Sequence, residues 1–302
     1  MRRPIECWFV LILIILSSQS VVVFGQENTA IQWFDRGNEF LENKSYEKAI
    51  LAYDNAIQID QQFSEALSAK GIALVALEKY NEAIECFDEA IRINPEYGDA
   101  WNNKCLALAK VLGRYEEAVM ACDEAIKISP QDADFWNGKG VALVGLGKYE
   151  EAITAFDKSL ELNPSDASTW KNRGNAIYNQ GKYDEAIKAY DEAIGINPKD
   201  ADSWNNRGLA LLNQNKYEEA IKAFDEAIDL NPKHAAAWYN KGNALGSQGK
   251  YNEALEAFEK ALELNPIDAY AWNNKGQALR DLGRNSEADA AFTKAKELSY
   301  SG

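Results

Sequence analysis

The sequence predicts an all-α solenoid of eight helical hairpins, and three observations carry that reading. A Trp-Asn-Asn-Lys-type tetrapeptide returns every 34 residues, apolar side chains recur at helical spacing inside each unit, and an Asn-Pro pair closes most units. A fixed period of this length marks an architecture in which each unit is one supersecondary element that buries its apolar face against its neighbours. Aligned with Trp at position 4, the units span 30–63, 64–97, 98–132, 133–166, 167–200, 201–234, 235–268 and 269–302, and all have 34 residues except the third, which has 35.

Each unit is predicted to form two helices. At about 100° per residue, positions 4, 8 and 11 share one face of the first, and positions 20, 24 and 27 share one face of the second. Unit one carries Trp33, Gly37, Ala49 and Tyr53 at positions 4, 8, 20 and 24; unit two repeats the scheme with Gly71, Ala83 and Phe87 and ends in Pro95. Unit three departs from it, with Cys105 and Cys122 at positions 8 and 24 and its extra residue between Leu108 and Tyr115. Units four to eight return to Gly140, Gly174, Gly208, Gly242 and Gly276 facing Phe156, Tyr190, Phe224, Phe258 and Phe292. Gly at 8 and Ala at 20 are expected to let two backbones approach, Trp and the aromatic at 24 to fill the flanks, and Asn-Pro to stop the second helix. The outer faces of the first and last units are polar, with Gln32, Glu39 and Asn43 at one end and Asp289, Thr293 and Lys296 at the other, as expected of capping repeats.

These positions resemble the tetratricopeptide repeat over residues 30–302. The resemblance implies a right-handed α-α superhelix that binds proteins or peptides in its inner groove. One feature departs from the family, which prefers Leu at position 7: every unit here has a cation there, and an acid fills position 25 in the first seven units. Ion pairs between position 25 of one unit and position 7 of the next are expected, Asp191 with Arg207 among them.

Positions 2, 6, 9 and 13 form the remaining face of the first helix, and stacking lays them side by side. Asn103, Asn172, Asn206, Asn240 and Asn274 occupy position 6, and Asn38, Asn175 and Asn243 position 9. A carboxamide both donates and accepts, so a row of them suits the backbone of an extended peptide whatever its side chains. The position-6 row resembles the asparagine ladder in the tetratricopeptide superhelix of O-linked N-acetylglucosamine transferases, although Asp35, Ala69 and Gly138 interrupt it. Lys171, Asn172 and Asn175 resemble a fragment of the carboxylate clamp of chaperone-binding members. Tyr178 and Tyr239 would supply side-chain pockets. The other reading of these Asn residues is a solvated open face.

The net charge of −15 disfavours nucleic acid, whose phosphates need a basic footprint, and it favours a soluble monomer over self-association. One His and scattered Cys leave no zinc cluster, no His-based triad and no phosphate loop, so no catalytic residue, metal or cofactor is expected. Residues 1–25 read as an export signal, with Arg2 and Arg3 ahead of an apolar run from Cys7 to Leu16, or as an uncleaved anchor that would be the one membrane contact; residues 26–29 read as a short linker. The repeats would then lie outside the cell. There Cys105 and Cys122 would either form a disulfide or exchange volume as thiols, Cys86 would be a half-buried bystander, and His234 a surface loop residue. The expected function is an exported interaction scaffold holding an extended segment; a cell-surface spacer and a regulatory subunit of an exported enzyme are the other readings.

Overall fold

The computed structural model describes residues 29–111 and 113–299. The leader or anchor expected over 1–25 lies outside the described residues, and among those described no helix is long and apolar enough to cross a membrane. The described secondary structure is helical throughout and falls into two compact units. The first, up to Glu96, holds α1 (Ala30–Glu42), α2 (Tyr46–Ile59), α3 (Ser64–Ala76) and α4 (Tyr80–Ile93). The second, from Tyr97, holds α5 (Gly98–Leu108), α6 (Tyr115–Ile128), α7 (Ala133–Gly145), α8 (Tyr149–Leu162), α9 (Ala167–Asn179) and α10 (Tyr183–Ile196). It continues with α11 (Ala201–Asn213), α12 (Tyr217–Leu230), α13 (Ala235–Ser247), α14 (Tyr251–Leu264), α15 (Ala269–Asp281) and α16 (Asn285–Ser299).

Within each unit consecutive helices pair as antiparallel hairpins, and each hairpin stacks on the next, making an all-α solenoid. The core of a hairpin is the aromatic at position 24. Phe87, Phe156 and Phe224 are 0% exposed, and Tyr190 1%. Here the packing differs from expectation, because the glycine at position 8 makes room for this ring rather than for a backbone. A Cβ on Gly208 would sit 2.5 Å from Phe224 Cε1, and one on Gly174 2.6 Å from Tyr190 Cε1. The ring therefore occupies the centre of the hairpin, while the Trp at position 4 is half-buried.

In the third repeat both partners are replaced. Cys105 and Cys122 form a disulfide across 17 residues, with Cα atoms 5.4 Å apart, so a covalent bridge joins α5 to α6 where the others have a ring against glycine. Cys86 is free and half-buried, and burial pushes its thiol up.

Two features of the links were not anticipated. The Trp at position 4 donates its indole N–H to the carbonyl of the preceding proline, from Trp136 to Pro130 at 3.0 Å, Trp170 to Pro164 at 3.0 Å, Trp204 to Pro198 at 3.1 Å and Trp272 to Pro266 at 2.9 Å. Asn-Pro is therefore a stop and also a docking point for the next helix. His234, expected in a loop, caps α13: its Nδ1 accepts the Ala237 N–H at 3.3 Å, as Asp166, Asp200 and Asp268 do for α9, α11 and α15.

The turn inside the hairpin needs left-handed backbone. Gly147, Gly181, Gly249 and Gly283 provide it at φ of 71–78°, but Lys44 and Glu78 adopt it at 55° and 59°. An L side chain with a Cβ costs about 1 kcal/mol or more in this region. Lys44→Gly and Glu78→Gly are each expected to stabilise the first unit by about 1 kcal/mol, seen as a higher urea midpoint with an unchanged slope.

The cations at position 7 form the expected pairs wherever both partners belong to one unit. Lys70 meets Asp54 at 2.7 Å in the first unit, and Lys139–Asp123, Arg173–Asp157, Arg207–Asp191, Lys241–Asp225 and Lys275–Glu259 follow at 2.6–3.0 Å in the second. Four of these cations, Lys139, Arg173, Lys241 and Lys275, also lie over the Trp ring one turn earlier, Lys275 at 5.3 Å from the Trp272 centroid. Burial alone would lower the Lys70 pKa, yet the hydrogen bond and charge of Asp54 outweigh it and the net shift is upward. With acids this exposed each pair contributes roughly 0–1 kcal/mol, so the pairs act on stacking register more than on stability.

Candidate functional site

The side chains expected to line a groove all belong to first helices, and in the second unit these helices lie side by side, α5 on α7, α7 on α9 and so on to α15. Successive first helices there are joined through their carboxamides. Asn172 Nδ2 donates to Asn137 Oδ1 at 3.1 Å and Asn240 to Asn205 at 2.9 Å, both from position 6 to position 5 of the preceding repeat. Asn206 donates instead to Asn175 at 3.0 Å and Asn274 to Asn243 at 2.8 Å, from position 6 to position 9. Asn172, Asn206, Asn240 and Asn274 thus bridge successive first helices. Each of these four has at least one donation from its amide nitrogen committed to the neighbouring repeat, and Asn240 is only 7% exposed.

The remaining candidates join the same network. Tyr190 donates its hydroxyl to Asn175 Oδ1 at 2.9 Å, and Tyr53 does the same for Asn38 at 2.8 Å in the first unit. Burial raises both phenols, Tyr53 to about 12, so each keeps its proton for that bond. Tyr178 accepts from Asn213 at 2.8 Å and Tyr239 from Asn274 at 3.1 Å. Lys171 is committed elsewhere, with its ammonium 3.0 Å from Asp200 Oδ2 and 3.8 Å from Asp202 Oδ2. Burial pushes the Asp200 carboxyl up, but hydrogen bonds from Ser203 and Lys171 outweigh it and hold the pKa below the usual range. Asn103 lies half-buried on α5.

Two open niches recur between first helices. One of about 380 Å³ is bounded by Asn175, Tyr178 and Asn179 of α9 and by Asn206 and Leu209 of α11, with Tyr190 beneath. The other, about 350 Å³, lies between Asn243 and Ser247 of α13 and Asn274 and Gln277 of α15, with Phe258 beneath. They occupy equivalent places two repeats apart. In both, the position-9 Asn has its oxygen engaged, while its amide nitrogen makes no described bond. The pairing of positions 5 and 9 with position 6 went unread in the sequence; its signal was Asn recurring at all three positions of adjacent repeats. Among the described residues no group of three His, Cys, Asp or Glu is placed to hold a metal ion.

Family models described as tetratricopeptide repeat match residues 68–133, 137–201, 201–234, 235–268 and 257–290, and one described as TPR repeat matches 37–78. No curated protein sequence matches the chain significantly. Among solved structures, a crystal structure of MamA is 28% identical with a TM-score of 0.50 over 54% of this chain and 95% of its own. A second MamA crystal structure is 27% identical with a TM-score of 0.51 over 56% and 92%. A MamA RS-1 ArsTM double mutant shares the fold at 23% identity, with a TM-score of 0.52 over 56% and 95%.

Proposed function

Because the chain belongs to the tetratricopeptide repeat family, we propose that it is a non-catalytic interaction scaffold whose first-helix face holds an extended segment of another protein. The observation that carries this reading is the pair of equivalent carboxamide-lined niches above Tyr190 and Phe258. Asn175 and Asn243 each offer an amide N–H to a peptide carbonyl while their oxygens tie two repeats together. Recognition of main chain by side chains that are already positioned loses little entropy on binding, which suits a broad range of sequences. The spacing of two repeats favours an extended ligand over a compact one. Export is part of the proposal and rests on Arg2 and Arg3 ahead of the apolar run, as does placement of the repeats outside the cell.

Twelve-residue peptides selected from a random library on the full chain test this reading. Asn175→Ala and Asn243→Ala are expected to weaken them about tenfold each, the effect of one hydrogen bond of ~1.4 kcal/mol. Lys222→Ala, at an exposed position of α12 that lines neither niche, serves as the control. Peptides indifferent to both niche substitutions would remove the reading.

A further inference from the structure

The two niches of the second unit are built alike and finished differently. The niche between α9 and α11 is lined by Tyr178, at position 12 of its repeat. That ring packs against Tyr183 at a centroid distance of 5.4 Å, and its hydroxyl accepts from Asn213 Nδ2 at 2.8 Å. In the niche between α13 and α15 the residue at position 12 is Gly246, while Tyr251 keeps the place of Tyr183 and Asp281 takes that of Asn213. This niche therefore extends to Tyr251 and Asp281, which line it, whereas Tyr183 and Asn213, both engaged by Tyr178, do not line theirs.

Nothing in the packing calls for the glycine. A Cβ on Gly246 would meet nothing beyond its own helix nearer than Ala254 Cβ at 3.9 Å, whereas one on Gly242, a turn earlier, would stand 2.6 Å from Phe258 Cε1. Glycine inside a helix is less stable than alanine, and other repeats of this chain place Val144 and Leu212 at the same position. What Gly246 provides is an opening beside the half-buried ring of Tyr251. Across that opening lies the exposed carboxylate of Asp281. Gln277 Nε2 donates to its Oδ1 at 3.0 Å, and Oδ2 makes no described bond. The cations close to it in sequence are engaged elsewhere, Arg280 over the Phe292 ring at 4.4 Å and Arg284 with Glu287 at 2.6 Å. Asn213 gives a hydrogen to the phenol in one niche; the ionised Asp281 can only receive one in the other.

We propose that the place of the Tyr178 ring, left open at Gly246, takes a tyrosine side chain of the bound segment, its ring against Tyr251 and its hydroxyl donating to Asp281. This deepens the groove reading, on which it rests: Asn243 holds main chain, and the seat at Gly246 selects one side chain. Tilted or offset ring pairs are favourable beyond the area they bury. A hydroxyl given to a carboxylate is a charge-assisted bond, stronger than one between neutral groups. Phenylalanine in the same seat keeps the first contribution and loses the second.

The test titrates the full ¹⁵N-labelled chain with acetyl-Ala-Ala-Tyr-Ala-Ala-amide and with its phenylalanine and arginine counterparts. The tyrosine peptide is expected to shift the Gly246 and Ser247 backbone amides, to bind about tenfold more tightly than the phenylalanine peptide, and to bind more tightly than the arginine peptide. Asp281→Ala, at an exposed helix end, is expected to remove the difference between tyrosine and phenylalanine. Gly246→Tyr, which fills the seat as Tyr178 fills its own, is expected to abolish the shift at Ser247 while the Asn175 and Asn206 carboxamides of the other niche respond as before. Equal affinity for tyrosine and phenylalanine, a preference for arginine, or an undiminished Ser247 shift in the Gly246→Tyr chain overturns the proposal. Movement of the Asn175 and Asn206 carboxamides without Gly246 and Ser247 leaves the groove standing and the tyrosine seat refuted; stillness everywhere counts against both.

Discussion

Phe224→Ala is expected to destabilise the second unit by about 3–5 kcal/mol, the usual cost of emptying a buried aromatic site. The ring is 0% exposed and packs with Leu211, Ala220, Ala223 and Ala244, three of them already the smallest side chains a helix accepts without glycine. Gly208 lies on the other side and has nothing to move inward. The alanines and the glycine around the ring cannot fill the space it leaves, so a cavity term adds to the lost transfer free energy. Since each hairpin is held mainly by its neighbours, the loss is expected to split the urea transition of the second unit, with repeats on either side of the sixth melting at different midpoints. A single unshifted transition monitored by tryptophan fluorescence would show that the core lies elsewhere. Gly208→Leu attacks the same contact from the opposite side by overpacking, with an expected cost of about 1–3 kcal/mol.

Loss of the Cys105–Cys122 bridge is expected to cost about 3 kcal/mol, the chain-entropy value for a loop near this length, whether by Cys122→Ala or by unfolding and refolding in a dithiol reductant. The bridge stands where every other repeat has ring against glycine, so its removal leaves two small side chains at the centre of α5 and α6. Thermal melts with and without reductant check the size, and the single substitution should make the melt insensitive to reductant. The combined replacement Cys105→Gly and Cys122→Phe restores the arrangement of the other hairpins and is expected to recover most of the loss. No recovery would mean that the third repeat, with its longer turn, cannot seat a ring there.

Period, patterning and punctuation were sufficient for the fold class, because a repeated hairpin solves the same burial problem eight times and the residues that solve it recur in step. Paired charges were legible for a related reason. With Asp191 and Arg207 each at a fixed repeat position, a constant stacking rotation brings every such pair together, and the pairs within either unit stand at 2.6–3.0 Å. Sequence spacing also brought Cys105 and Cys122 to facing positions, but bridge and thiol pair share that spacing, and the choice came from the Cα separation of 5.4 Å.

The partners within a face were decided by tertiary structure. Helical periodicity states that Gly208 and Phe224 look toward each other; it does not state that the ring lies over the glycine instead of beside it. Asn at position 6 was readable as a surface carboxamide, yet whether Asn206 turns to Asn175, to Asn205 or to a ligand depends on ångström offsets between adjacent helices. Sequence by itself determined which faces are buried and how often they recur, since burial follows from the periodic placement of apolar groups. Only the packed structure decided which polar atoms find each other, because hydrogen bonds are made or missed over distances far shorter than the spacing of residues along a helix.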